Sequence, residues 1–254
     1  MDGTSLHQFE PMAEPSGVST ERWLNEANGI ANIIRRSAIR ESNNSIHWIG
    51  LNRIPRTDRF QFEPLGFNLY DGKSGIVLFL AALDAVRQTH HFHDLILGAV
   101  QPLRQAFAQD RQTLRQWVQQ SDHGAGFGLG SIVYSWVNLS RFLSEPLLLE
   151  EAERVVAEMS VDWIVADRHL DVLSGVAGTL LGILALYRET QNEAVLSMAI
   201  ACGRHLLDQQ VSVDGAPKAW ITLERKPLTG FSHGAAGIAY ACRNCMPQPS
   251  MLTF

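Results

Sequence analysis

The sequence predicts an all-α fold, and more narrowly an α/α toroid built from repeated helix pairs. Three observations support this prediction. Apolar residues recur at helical spacing along most of the 254 residues, four apolar segments open on a similar Gly-x-x-Gly pattern, and each alternates with a more amphipathic segment. Helix pairs that repeat in this way, with the apolar helix inside and the amphipathic helix outside, typically close into a ring.

The N-terminal part of the chain predicts an arm, a helix and a short extended region. Residues 1–18 are polar and contain Pro11, Pro15 and Gly17, which is typical of a flexible arm or the remnant of a linker. Ser19 is placed to cap a helix from 20 to about 40, where apolar residues recur at helical spacing. The next stretch, "SIHWIGLNRIPRTDRFQFEPLGFNLYDG", is rich in proline and turn residues and is the one region expected to hold short strands.

The repeat itself is visible in four segments that predict the inner helices. They read "YDGKSGIVLFL" from Tyr70, "GFGLGSIVYSW" from Gly126, "LSGVAGTLLGI" from Leu173 and "SHGAAGIAYAC" from Ser232, with Ser131 replacing the last glycine of the second. Amphipathic outer helices are expected at 94–119, 145–165 and 193–210. All four openings should face the same side, where the residues before each first glycine would line the middle of one face: Asp71, Phe127, Ser174 and His233.

The glycines of these openings have two interpretations. Glycine lets backbones approach closely, so the motif can serve only to seat the inner helices tightly, and this packing role is the favoured interpretation. Alternatively, glycine leaves the amide groups of the first helical turn uncovered towards a ligand.

Composition limits the class of protein. A net charge of -5 offers no field that would attract nucleic acid or an anionic membrane surface, and no apolar run approaches the roughly 18 residues of a bilayer span. The N-terminus lacks the pattern of a secretory signal, and only Cys202, Cys242 and Cys245 are present. These features predict a cytoplasmic protein without a disulfide framework.

Two residues stand out as candidates for chemistry. His233 lies between Ser232 and Gly234 at a helix opening, and a functional role is favoured over that of a satisfied core histidine. Asp171, in "HLDVLSGVAG", is four residues ahead of Gly175, so it is either a helix N-cap or a functional carboxylate.

Three further motifs are weaker. The glycine-rich loop from His123 has neither the preceding strand nor the lysine of a phosphate-binding loop. The sequence "THHFHD" is explained by a solvated turn between helices, and Cys242-x-x-Cys245 lacks the second pair of a zinc knuckle. No residue is therefore assigned as a metal ligand.

Several long motifs in this order resemble the lanthionine synthetase C-like cyclases. They are "HWIGL", "PLGFNLYDGKSGIVLFLAAL", "LDVLSGVAGTLLGILALYRET" and "PLTGFSHGAAGIAYA", and the resemblance covers about residues 17–242. It is greatest to the C-terminal cyclase domain of the bifunctional class II lanthipeptide synthetases. The resemblance implies an α/α toroid of seven helix pairs, in agreement with the repeat.

The resemblance also implies a reaction and a cofactor. Such enzymes form thioether (lanthionine) rings by adding a cysteine thiol to a dehydrated serine or threonine of a precursor peptide. A bound zinc ion holds the thiol as a thiolate, and the resulting enolate must be protonated at its α-carbon. His233 and Asp171 match the family's proposed acid/base residues, with their individual roles left open.

The chain also departs from the family pattern. The stretches that supply the zinc ligands, Trp-Cys-x-Gly and Cys-His-Gly, do not occur in it, and residues after Ala241 show no helical pattern. We therefore expect a truncated cyclase domain at 19–241, about four of seven pairs, followed by a non-matching tail at 242–254. It would lack both a complete zinc site and the dehydratase portion, and a second chain is a candidate source of the missing pairs.

Two alternatives remain at this point. One is a non-catalytic module that binds peptides or acts as a scaffold in a synthetase. The other is a carbohydrate-active α/α barrel, in which Asp171 would act with a second carboxylate such as Asp71.

Overall fold

A computed structural model describes residues 19–54, 57–212, 215, 218–223 and 226–245. Over these residues the chain is mostly helical, as the sequence predicts. The predicted arm at 1–18 and most of the predicted tail lie outside the described residues. The helices are α1 (Thr20–Ser37), α2 (Lys73–Arg87), α3 (His93–Phe107), α4 (Arg111–Gln120), α5 (Leu129–Leu143), α6 (Leu147–Ala157), α7 (Val161–Val165), α8 (Val176–Thr190), α9 (Glu193–Asp208) and α10 (Ala235–Cys245). The strands are β1 (Ile39–Arg40), β2 (Ile46–His47), β3 (Ile49–Arg53) and β4 (Phe60–Pro64).

The helices form two layers. The four predicted inner helices are α2, α5, α8 and α10, and each contacts the next in that order. Outer helices α3, α6 and α9 also contact one another in order, and α6 and α9 each contact two successive inner helices. The core between the layers includes the fully buried side chains of Phe107, Trp136 and Leu180. The alternation of inner and outer helices is therefore confirmed, while the incomplete toroid stays a prediction.

The outer helices are amphipathic for a simple reason. On α9 the buried residues include Val195, Ala199, Cys202 and Leu206, spaced three or four apart so that they lie along one face. Two of the predicted outer segments divide into two helices each, at 108–110 and at 158–160. Asp110 caps α4 and Ser160 caps α7. The side chain of each accepts hydrogen bonds from backbone amides two or three residues later in the chain.

The predicted start of α1 is confirmed, whereas its predicted end is wrong. Ser19 caps α1, accepting a hydrogen bond from the amide of Arg22. The helix ends at Ser37 rather than near 40, because Ile39 and Arg40 instead pair with β2 in an antiparallel hairpin. Asn44, with φ 67°, supplies the left-handed residue in the turn between these strands. The expected extended pieces are present in β2, β3 and β4, and β3 pairs antiparallel with β4.

Lys73 is an unusual residue at the start of α2, because its side chain is buried. Its Nζ atom lies 4.1 Å from the centroid of the Phe67 ring and 3.4 Å from Nδ1 of His47. Burial lowers the pKa of Lys73 to about 8, and the carboxylate of Glu41 opposes that change only in part. The folded chain therefore carries the cost of burying an ammonium group at neutral pH.

We expect Lys73→Met to be most stabilising at neutral pH. Below about pH 8 Lys73 is charged in both the folded and the unfolded chain. Between about pH 8 and 10.5 Lys73 is neutral in the folded chain but still charged in the unfolded chain. Wild-type stability therefore rises with pH across this window, and the advantage of the variant should shrink by on the order of 2 kcal/mol. Urea unfolding at pH 7 and pH 10 measures this difference, with exposed Lys218→Met as the control. Parallel pH curves for Lys73→Met and wild type would contradict the prediction.

Candidate active site

The four helix openings form one continuous surface, because backbone hydrogen bonds join each opening to the next. The amide of Tyr70 donates to the carbonyl of Gly126, at 3.1 Å. The amide of Ala125 donates to Val172, at 2.9 Å, and the amides of Val172 and Leu173 both donate to the carbonyl of Ser232. The loops before α2, α5, α8 and α10 therefore lie side by side, as the expectation of a shared face requires.

The second glycine of the motif lets each loop fold tightly against the start of its own helix, and Gly178 also lets the opening of α5 approach that of α8. In three openings a β-carbon on that glycine would lie less than 3.0 Å from the carbonyl oxygen six residues earlier. The glycines are Gly75, Gly178 and Gly237, and the carbonyls are those of Leu69, Val172 and Phe231. The contacts are with backbone rather than with flexible side chains, so they cannot relax cheaply. These glycines therefore have a packing role, while the interpretation of uncovered amides facing a ligand stays a prediction.

The two candidate residues for chemistry, Asp171 and His233, contact each other directly. Nδ1 of His233 lies 2.7 Å from Oδ2 of Asp171, although 62 residues separate them in the chain. The other carboxylate oxygen, Oδ1, accepts a 2.7 Å hydrogen bond from the amide of Ser174. Asp171 is buried, whereas 31% of the His233 side chain is exposed. The carboxylate is thus held on both oxygens, and the imidazole is the member of the pair that a ligand can reach.

The capping role considered for Asp171 takes a different form. Gly175 is the N-cap of α8, and Asp171 instead accepts the amide of Ser174 in the turn ahead of that helix. The backbone of the pair is held as well: the Asp171 carbonyl accepts the amides of Gly175 and Gly178. On the other side, the hydroxyl of Thr222 donates to the carbonyl of His233.

Asp167 is a residue of this site that the sequence did not point to. It is buried, and its carboxylate accepts amides from His169 at 3.0 Å, Leu170 at 3.0 Å and Val176 at 2.8 Å. These bonds hold Leu170 in the left-handed region, with φ 62°, immediately before Asp171. A capping carboxylate usually accepts a backbone amide that follows it by two or three residues, but the Val176 amide follows Asp167 by nine residues. No local motif therefore signals this role.

Two histidines flank Asp167 from neighbouring elements. His123 stacks on Trp163, with ring centroids 3.8 Å apart, and its Nδ1 lies 3.9 Å from Oδ1 of Asp167. His205 on α9 is buried. Burial lowers the pKa of both imidazoles, and the negative charge of Asp167 opposes that change. Asp167 is thus surrounded by polar groups that support the loop carrying Asp171.

The remaining residues of the predicted face lie in the loops before α2, α5 and α8. Asp71 is exposed, and its carboxylate accepts a hydrogen bond from the side-chain amide of Asn68. Phe127 packs against the ring of Tyr70, with centroids 5.3 Å apart. Ser174 and Phe127 line a polar cavity of about 290 Å³ together with Asn68, Asp122, His123 and His169.

The weaker motifs have ordinary surroundings. His90 and His91 lie in the turn between α2 and α3, as expected, and His93 begins α3. The last described helix does not stop at Ala241 but continues to Cys245, so Cys242 and Cys245 belong to α10. Burial raises the pKa of the Cys242 thiol to about 11, and it also raises the pKa of Cys202 and Cys245.

The described residues contain neither a cluster of metal-ligating side chains nor a membrane-spanning helix. No cluster of three or more His, Cys, Asp or Glu side chains in the described ranges is arranged to hold a metal ion, so these residues do not by themselves fit the zinc site that the resemblance implies. In the same part of the chain, no helix is both long enough and apolar enough to cross a membrane.

Comparison with known proteins identifies the family. The sequence profile of the lanthionine synthetase C-like proteins matches residues 63–249, about three quarters of the chain. The match begins inside β4 and includes all four helix openings, Asp171 and His233. No curated protein matches the sequence. Because the family profile covers most of the chain and both residues of the pair, this protein belongs to the lanthionine synthetase C-like family.

Proposed function

We propose that the chain is a cyclase domain of the class II lanthipeptide synthetase type, which forms thioether rings in a precursor peptide. The observation that carries this proposal is the 2.7 Å contact between His233 Nδ1 and Asp171 Oδ2, on the face where the four helix openings meet. The pair lies within the part of the chain that matches the family. Family membership favours this function over the carbohydrate-active alternative.

The reaction requires that one proton leaves the thiol and that one proton reaches the α-carbon. The sulfur of a substrate cysteine forms a bond to the β-carbon of a dehydrated serine or threonine, and the electron pair of the double bond moves towards the α-carbon and its carbonyl. A proton then adds to the α-carbon. The thiol loses one proton and the α-carbon gains one, so the product is an isomer of the substrate and no leaving group departs.

His233 is the residue of the pair suited to this transfer. A carboxylate only accepts hydrogen bonds, so the contact with Asp171 places a proton on Nδ1 and leaves Nε2 as the ring nitrogen that exchanges a proton with the substrate. Asp171 is buried and both its oxygens are occupied, so it holds the orientation of the ring. We therefore propose His233 as the acid/base residue and Asp171 as its positioning residue.

The zinc ligands are the part of the proposal that reaches beyond the described residues. We propose that a second polypeptide contributes them next to His233, and that the described residues contribute the acid/base pair and the peptide-binding face. Cys242 and Cys245 belong to the later part of α10, whereas His233 precedes that helix. A helix rises by about 1.5 Å per residue, so these thiols are more than about 10 Å along the axis from the start of α10.

The test is a ring-closure assay on the full-length chain. A peptide containing one cysteine and one dehydroalanine is incubated with the protein and zinc chloride, alone and with each polypeptide encoded beside it. Cyclisation leaves the mass unchanged, so the readout is loss of the thiol that N-ethylmaleimide would otherwise label, measured by mass spectrometry against the reaction in buffer.

The outcomes separate the candidate functions. Thiol loss well above the buffer rate in any of these mixtures supports the proposal. Peptide binding without thiol loss in every mixture overturns the cyclase assignment and supports the non-catalytic, peptide-binding alternative. If the peptide neither binds nor reacts, both functions are wrong.

A further inference from the structure

A shallow apolar trough crosses all four helix openings and has no role in the proton transfer. It is a cavity of about 440 Å³, lined by two consecutive residues from each opening: 69–70, 125–126, 172–173 and 231–232. Seven of these eight residues are glycine, alanine, aliphatic or aromatic, and Ser232 is the exception. We define these eight residues as the trough.

Five of the eight backbone amides of the trough already donate hydrogen bonds within the protein. Amides of the trough donate to carbonyls of the adjacent opening: Tyr70 to Gly126, Ala125 to Val172, Gly126 to Leu173, and Val172 and Leu173 to Ser232. A peptide lying here therefore meets amides whose protons are already donated. Binding energy in the trough must come mainly from burial of apolar surface.

Aromatic rings stand at two of the openings that line the trough. Tyr70 is 73% exposed and Phe231 is 51% exposed. Each ring rests against a second aromatic ring, Tyr70 on Phe127 at 5.3 Å and Phe231 on Tyr240 at 5.5 Å between centroids. Supported aromatic side chains lose little conformational freedom when they bind a ligand, which makes them effective contact residues.

The trough is continuous with the proposed acid/base pair. Val172 and Leu173 directly follow Asp171, and Phe231 and Ser232 directly precede His233. The backbone amides of Val172 and Leu173 donate to the carbonyl of Ser232, which joins the loop that carries Asp171 to the loop that carries His233. A side chain that fills the trough therefore belongs to a residue near the one that reacts at His233.

We propose that the trough is a specificity subsite for a large apolar side chain, aromatic or aliphatic, of the peptide substrate. Tyr70 and Phe231 are its specificity-determining residues. The inference rests on the proposed function for the identity of the ligand as a peptide. Tyr70 and Phe231, which lie outside the acid/base pair, would thus select the peptide by one of its side chains.

The test measures binding with peptides that cannot react. The probes are fluorescein-labelled, glycine-rich hexapeptides with one cysteine, alanine in place of the dehydrated residue, and Phe, Leu, Ser or Asp on either side of that alanine. Fluorescence anisotropy gives Kd for each. Burial of one large apolar side chain predicts that at least one of the Phe and Leu probes binds about 10-fold or more tightly than its Ser counterpart.

The variants assign that preference to the trough. Tyr70→Ser combined with Phe231→Ser should reduce the preference, measured as the Kd of the Ser probe divided by the Kd of the preferred Phe or Leu probe, to about two or less. The matched control is Phe62→Ser, because Phe62 is a 78% exposed aromatic residue on β4 and not a trough residue. Since all three side chains are exposed, circular dichroism and the Tm should show that each variant stays folded.

Failure of this inference can be told apart from failure of the proposed function. Three results would overturn the subsite, even if ring closure is observed: Phe and Leu probes that both bind no more tightly than the Ser probe, no binding of any probe, or an unchanged preference in the double variant. Conversely, a selective trough in a chain that never closes rings would leave the subsite standing and overturn the cyclase proposal.

Discussion

Replacing His233 by asparagine is expected to reduce the rate of ring closure by about 10²- to 10⁴-fold, the usual range for loss of a general acid/base group. Asparagine is chosen because its side-chain amide can still donate to Oδ2 of Asp171, in place of Nδ1 of the imidazole. The buried carboxylate therefore keeps its partner, while Nε2, the nitrogen proposed to exchange a proton with the substrate, is lost. The fold and the affinity for unreactive peptides should be nearly unchanged.

The measurement compares the rate of thiol loss in the ring-closure mixture with binding of the unreactive probes. His91→Asn is the matched control, because His91 is exposed in the turn between α2 and α3. A His233→Asn variant that closes rings at the wild-type rate would rule out His233 as the acid/base residue. A variant that unfolds would show that the histidine has a structural role instead.

Gly178→Ala is expected to destabilise the protein by about 3 kcal/mol or more, at the upper end of the cost of overpacking. A β-carbon at this position would lie less than 3.0 Å from the Val172 carbonyl oxygen, the Ala125 nitrogen and the Gly124 carbonyl carbon. These atoms lie in the openings of α5 and α8, which the Ala125 to Val172 hydrogen bond joins. The added methyl group must push the two openings apart, and Asp171 lies in the loop that moves.

Urea unfolding followed by circular dichroism measures this loss, and Gly29→Ala provides the control. Gly29 lies inside α1, and apart from its two chain neighbours and the adjacent backbone of that helix no atom lies within 4 Å of the β-carbon that alanine would add there. Alanine should therefore stabilise that helix by up to about 1 kcal/mol. If both substitutions changed stability by the same small amount, the close approach at Gly178 would not be a packing constraint.

Much of the fold was predictable because the signals for it are local. The spacing of apolar residues marks each helix and its buried face, and Ser19 was placed as a cap by its position before an amphipathic run. Where a local signal was weak, the prediction failed. The end of α1 was placed too late, because helical periodicity does not show that Ile39 and Arg40 have strand partners at 46–47.

The site was predictable only in part. His233 and Asp171 stand out because each is a functional residue type beside a glycine-led opening. Asp167 was missed because its three amide partners are set by the path of the 167–176 loop and not by any fixed spacing. The continuation of α10 to Cys245 was also missed, because the last helical turn shows little of the apolar pattern.

By itself, then, the sequence determined the helical class, the repeat of four glycine-led inner helices, the family and the two residues that make up the pair. Only the tertiary structure decided that Asp171 and His233 touch, that Asp167 holds the loop that carries Asp171, and that eight residues from four loops form one trough. The physical reason is one of range. Periodicity and capping depend on residues a few positions apart, whereas these contacts depend on how helices far apart in the chain pack against one another.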